Sequence, residues 1–432
     1  MSPVQIGVLV LISLLVLMFL GVTVSTSIGI LGLIGLLIMI PAAFRTKVGI
    51  SVFETLDSYN AAAIPLFSLM AMIICYTGIG AKLYDAFYKL IGRYNGGLSI
   101  ATILACGLFA AISSSASATT LTIGLIALPE MRKAQYKDTL IAGSICAGGT
   151  MGPFIPPSSP LLVYGIITGT SVIKLFSAII VPGIIMIIMY SLTIVILCKR
   201  KPELGPKGPK FSTKEVLIAF SKCGEILLLI LIVLGGMFAG FFTPTEAAGV
   251  GAAGAILITF VRRTLNSKNF FEAIVGAMKT SGMIFAMFVA AAFMNYLMSL
   301  SRLPTTVANA LSAAHIPPLL VVVFMILILM LMGMFMDGAG INVLTTPIFF
   351  PIIQALGINP VWFGVIVCTC MEMGAITPPV GSNLFVMKSL DKSTPMEVIY
   401  KGVYPFFAAQ IAAIAIFLFF PAVSLTLPAI LA

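Results

Sequence analysis

Charge is scarce in this chain. Of 432 residues only 9% are Asp, Glu, Lys or Arg, against 60% hydrophobic, and that balance excludes an ordinary soluble domain. Histidine occurs once, at His315, and tryptophan once, at Trp362, so histidine-based catalysis and a histidine metal centre lack the side chains they need. The seven cysteines, at 75, 106, 146, 198, 223, 368 and 370, lie mostly inside apolar segments. Cys368-Thr-Cys370 is too close-spaced and too poor in partners for a zinc site, and buried free thiols are expected. No phosphate loop is present: Gly205-Pro-Lys-Gly-Pro-Lys210 lacks the G-x4-G-K-[ST] spacing. A cleavable leader is not expected either, because Met1–Gly7 carries no basic residue and no small-x-small site closes a short run.

What the chain does have is long apolar runs. A spanning helix needs about 20 apolar residues, and roughly ten segments meet that standard. Spans are expected at about 4–20, 27–43, 62–78, 172–197, 224–242, 246–261, 281–299 and 403–430. The net charge of +10 sits mainly in short loops between spans, which is the pattern of the positive-inside rule rather than of nucleic-acid binding. A polar stretch, Cys198-Lys-Arg-Lys-Pro-Glu-Leu-Gly-Pro-Lys-Gly-Pro-Lys210, divides the chain. Residues 201–222 are expected as a cytoplasmic linker between a first half, 1–200, and a second, 223–432.

Each half contains a helix broken where a membrane helix should continue. The first, expected over 138–169, is interrupted by Gly148-Gly-Thr-Met-Gly-Pro-Phe-Ile-Pro-Pro-Ser-Ser-Pro160. The second, over 360–389, is interrupted by Met371-Glu-Met-Gly-Ala-Ile-Thr-Pro-Pro-Val-Gly-Ser-Asn383. Met151-Gly152-x-x-x-Pro156-Pro157 matches Met373-Gly374-x-x-x-Pro378-Pro379 at an offset of 222. Unwound backbone at membrane depth survives only inside protein or lining a cavity. Paired breaks of this kind mark a transporter's central site.

Ahead of each break stands an apolar pair, 98–129 around Ser113-Ser-Ser-Ala-Ser117 and 317–355 around Asp337-Gly-Ala-Gly340. Both are read as re-entrant hairpins. With the N-terminus outside, only Arg45, Lys47, Lys174 and Arg302 fall outside, which leaves twenty of the 24 basic residues in the cytoplasm. Each half then crosses five times, so the halves form an inverted repeat in an all-α polytopic membrane protein, and both termini are periplasmic. Mildly amphipathic stretches at 80–94 and 302–314 read as interfacial arm helices. Tips and breaks are rich in oxygen ligands that suit a hard monovalent cation, while half-helix N-termini suit an anion. Small-residue packing is the competing reading of the serine-rich tip. Asp337 and Glu372 are the acidic residues near midplane depth. Asp337 could ligate an ion, carry a proton or cap the following arm, and Glu246 in Thr243-Pro-Thr-Glu-Ala-Ala248 reads as a cap.

SSSASATT and DGAGIN tips, MGPFIPPS and MGAITPPV breaks, and GFFTPTEAAGVGA together resemble the large membrane subunit of TRAP (tripartite ATP-independent periplasmic) transporters. The resemblance covers essentially the whole chain. It implies an elevator-type sodium symporter of the ion-transporter superfamily in the bacterial inner membrane. It also implies a small four-helix membrane subunit, not fused here, and a periplasmic binding protein that delivers an organic acid such as a C4-dicarboxylate or sialic acid. Carried onto this chain, the first sodium site uses Ser113, Ser115, Ser117, Gly149, Gly152 and Pro153. The second uses Gly338, Gly340, Gly374, Thr377 and Pro378. Ser114, Thr119, Pro156, Asp337, Asn342 and Ser382 are substrate-region candidates. A stand-alone carboxylate symporter on the same architecture, a passive channel and proton coupling remain alternatives. A membrane-embedded enzyme is disfavoured, because no His/Asp/Glu cluster lies at membrane depth; no cofactor beyond the coupling ion is expected.

Overall fold

Apolar side chains on all faces, with few charges, favour helices whose backbone groups pair internally. The computed structural model describes residues 2–20, 22–336 and 338–431, and all its regular structure is helical. Among the described residues, five helices are long and apolar enough to cross a membrane, or up to seven if each of two bent pairs is one span.

Two bodies share the packing. The scaffold holds Pro3–Phe19, Val24–Met39, Phe44–Leu56, Ala63–Cys75, Gly224–Phe238, Pro244–Val261 and the 35-residue Ser267–Ser301. At 1.5 Å per residue the last is about 52 Å long, well beyond a hydrocarbon core of about 30 Å. The span expected at 281–299 is only its C-terminal part. Small residues bring these helices together: a methyl at Gly251 would meet Met70 Sδ at 2.6 Å, and one at Gly254 would meet Leu229 Cδ1 at 2.4 Å. Thr243 and Glu246 close a capping box at the start of Pro244–Val261, so Glu246 is a cap.

The second body contains both hairpins and both broken helices. The hairpin arms are Gly97–Ser113 with Ala116–Lys133, and Pro318–Gly333 with Gly338–Ala355. The second arms repeat at the same offset of 222 residues. The first broken helix comprises Asp138–Gly149, a short 3-10 turn at Gly152–Phe154 and Ser159–Thr168; the second comprises Pro360–Ala375 and Ser382–Leu390. The long helices Val172–Arg200 and Met396–Phe419 back them. The halves of the chain are interleaved here. Asp138–Gly149 packs on Met396–Phe419 so closely that a methyl at Gly143 would lie 2.2 Å from the Gly402 carbonyl oxygen. Tyr164 donates to the Pro360 carbonyl at 2.9 Å, tying the exit of one broken helix to the start of the other.

Two expectations need correction. The run 403–430 is not one span but two helices, Met396–Phe419 and Ala422–Leu431, because Pro421 has no amide with which to continue the ladder. The 62–78 span is the shorter Ala63–Cys75, part of a stretch Tyr59–Cys75 bent 49° from the preceding Phe44–Leu56. The linker is structured. Ser212 and Glu215 cap a helix, Thr213–Ser221, and it packs on the arm helix Ile79–Ile91 through a Phe220–Phe87 edge contact. Upstream, Gly96 and Lys137 donate backbone hydrogen bonds to Gly205 and Leu204, and Gly208 donates to Gly92. The second arm helix, Leu303–Ala313, packs on Gly338–Ala355. All seven cysteines are free; six are buried, and Cys75 is exposed.

Candidate functional site

A proline in a helix leaves the carbonyl four residues earlier without its donor. Pro153, Pro156, Pro157 and Pro160 therefore release Gly149, Gly152, Pro153 and Pro156 from the helical ladder. Pro378 and Pro379 do the same for Gly374 and Ala375. In the second break the Gly374 carbonyl takes the Thr377 amide instead, at 3.0 Å, and Thr377 Oγ1 donates to the Met373 carbonyl at 2.7 Å.

The first hairpin tip seats directly on the first break. A methyl at Gly152 would lie 2.6 Å from the Ser115 carbonyl carbon and 2.7 Å from the Ala116 nitrogen, and one at Gly149 would collide with Thr120 Oγ1. Ser114 sits at the turn in the left-handed region (φ 52°) and donates to the Pro157 carbonyl at 2.5 Å. Ser113 and Thr119 pair hydroxyl to hydroxyl at 2.6 Å, while Ser115 caps Ala116–Lys133 through the Ala118 amide.

The second tip reaches the first break as well as its own. Buried Asn342 donates from Nδ2 to the Pro160 carbonyl at 2.8 Å, and a methyl at Gly338 would meet Pro160 at 3.2 Å. Gly374 packs backbone to backbone against Gly333 of the hairpin's first arm, and Gly340 is buried. Asp337 lies outside the described residues. Asn383, just past the second break, donates to the Cys146 carbonyl at 3.2 Å, so each break is tied to the opposite half.

A cavity of about 170 Å³ opens where these parts converge. Of the residues singled out from sequence, Ser114, Ser115, Ser117, Pro153, Gly338, Glu372 and Ser382 line it. Ser113, Thr119, Gly149, Gly152, Pro156, Gly340, Asn342, Gly374, Thr377 and Pro378 are not among its lining residues. Sequence reasoning missed Thr280, Met283 and Ile284, which close the cavity from the long scaffold helix. It also missed a polar cluster behind the first break. Thr150 Oγ1 pairs with Tyr190 OH at 2.9 Å and accepts from Gln410 Nε2 at 3.5 Å. Isolated Tyr190 and Gln410 inside apolar runs were the available signal.

Away from the cavity, Arg132 at the base of the first hairpin forms an ion pair with Asp391, just past the second broken helix, and reaches Asp138 at 3.3 Å. Burial pushes the Asp391 carboxyl upward. The Ser393 and Thr394 hydroxyls, the Arg132 guanidinium and the Ser393 amide outweigh it and hold the group at about 2.

Comparison with known proteins identifies the family. Residues 11–423 match the family model described as tripartite ATP-independent periplasmic transporter, DctM component. The C4-dicarboxylate TRAP transporter large permease protein DctM of Pseudomonas aeruginosa is 35% identical over 93% of this chain and 93% of its own. The sialic acid TRAP transporter large permease protein SiaM of Vibrio cholerae is 30% identical over 86% of this chain and 87% of its own. The efflux pump MtrF of Neisseria gonorrhoeae, at 14% identity, shares the fold with a TM-score of 0.64 over 97% of this chain and 95% of its own. The chain therefore belongs to the DctM family, the large permease component of the tripartite ATP-independent periplasmic transporters.

Proposed function

We propose that this permease carries out sodium-coupled uptake of an organic acid delivered by a periplasmic binding protein, with the hairpin-and-break body moving against the scaffold as an elevator. The observation that carries the reading is the convergence of both hairpins and both broken helices on one cavity whose remaining wall is a scaffold helix. A site at the seam between two bodies can be exposed to either side by sliding one past the other.

Sodium is a co-substrate in this account. Carbonyls freed by proline can replace an ion's hydration shell. Gly149, Gly152 and Pro153 with the Ser113, Ser115 and Ser117 tip would hold one ion. Gly338, Gly340, Gly374, Thr377 and Pro378 would hold the second. The substrate would sit among Ser114, Ser382 and the facing tips, where the starts of Ser159–Thr168 and Ser382–Leu390 present amide donors to an anion. Thr119, Pro156 and Asn342 support that region from behind. C4-dicarboxylates and sialic acids, named for two relatives, are the substrate classes to try first. The inverted repeat, an inner-membrane location with both termini periplasmic, and a separate small four-helix subunit complete the reading.

The test is uptake of labelled organic acid into proteoliposomes containing this chain and its small subunit, under an inward sodium gradient. Uptake is expected to require both sodium and the binding protein. Sodium-driven uptake without the binding protein would replace this reading with a stand-alone symporter. Uptake indifferent to ions would end coupled transport as an explanation.

A further inference from the structure

Glu372 is the single ionisable side chain among the described residues lining the central cavity; no Lys, Arg or His accompanies it. It is only 4% exposed, and its Oε2 has no hydrogen-bond partner. A buried carboxyl without a partner is charged only when a cation neutralises it, and as a bare carboxylate it would repel a second anion. The cavity proposed to receive an organic acid thus contains an acidic side chain with an unpartnered oxygen and no basic side chain among the described residues.

We propose that Glu372 binds a monovalent cation inside the cavity, separate from the two carbonyl-built sites, and that the substrate carboxylate binds against that cation. The inference rests on the symport reading above. Oxygen ligands are at hand: the Ser159 and Ser382 hydroxyls share the cavity, and Ser114, whose proton is committed to the Pro157 carbonyl, keeps its lone pairs available. The donor set favours a monovalent ion. A divalent ion held by protein needs several hard, charged oxygens, and no cluster of three or more His, Cys, Asp or Glu exists among the described residues.

The proposal separates Glu372 from the carbonyl sites in a binding experiment. Radioactive sodium binding to the purified permease with its small subunit, at fixed pH and without substrate, is compared for wild type and Glu372→Gln. The variant is expected to bind one ion fewer, and the Hill coefficient for sodium in uptake to fall by about one while the remaining uptake stays sodium-driven. Equal stoichiometry and equal Hill coefficients would overturn the proposal and leave the symport reading intact. Absence of sodium binding in wild type would overturn both. If Glu372→Gln does not fold, wild-type crystals exchanged from sodium into thallium decide the matter. Anomalous density beside the Glu372 carboxylate supports the site, and density confined to the carbonyls overturns it.

Discussion

Gly152 shows how little room the first break leaves. A methyl there would press into the backbone of Ser115 and Ala116, which cannot swing aside as a side chain can. Gly152→Ala should cost about 1–3 kcal/mol, as overpacking does, and raise the sodium concentration needed to stabilise the protein in thermal unfolding. Gly49→Ala, with nothing within 4 Å of the added methyl, should change neither. Asn342 makes the complementary case. Removing its amide leaves the buried Pro160 carbonyl unpaired, so Asn342→Ala should cost about 1–3 kcal/mol, measured by the same unfolding assay. The two positions differ in how far sequence could reveal them. Glycines and prolines announce a break by their own chemistry, and the carbonyls they free follow by counting. The partner of Asn342 is 182 residues away, and no local pattern encodes it.

At the scale of elements, the hairpins and broken helices were readable because their boundaries carry Gly, Pro and Ser. The linker helix Thr213–Ser221 was missed although Ser212 and Glu215 stand at capping-box spacing; the Pro/Gly/Lys-rich stretch before it obscured a short helix. Also invisible was the ion pair that pins the base of the first hairpin to the end of the second broken helix, since Arg132 and Asp391 belong to different halves. That pair has a defined pH signature. The Asp391 carboxyl lies at about 2, below its ordinary 3.8, so its contribution to stability is complete above about pH 5 and is lost as pH falls through 2. Thermal unfolding from pH 5 to 8 should show Asp391→Asn less stable than wild type by a constant margin. The margin should shrink toward zero as the pH approaches 2, and a margin that grows on acidification would contradict the assignment.

For the whole molecule, sequence order is a poor guide to spatial grouping. Asp138–Gly149 from the first half packs on Met396–Phe419 from the second, and the cavity takes residues from both. Interleaving of this kind depends on long-range close packing, such as Gly143 against Gly402, which no periodicity foretells. In the proposed elevator, the wall supplied by Thr280, Met283 and Ile284 is what would make relative motion of the bodies consequential. These residues belong to the scaffold, whereas Gly338 and Ala339 on the same cavity belong to the second hairpin. The decisive measurement uses Thr280→Cys with Ala339→Cys in a chain whose native cysteines are replaced, joined by a reducible bis-maleimide in proteoliposomes. The account predicts that uptake stops when the pair is crosslinked and returns on reduction. Uptake at the uncrosslinked rate with the pair fully joined would contradict an elevator.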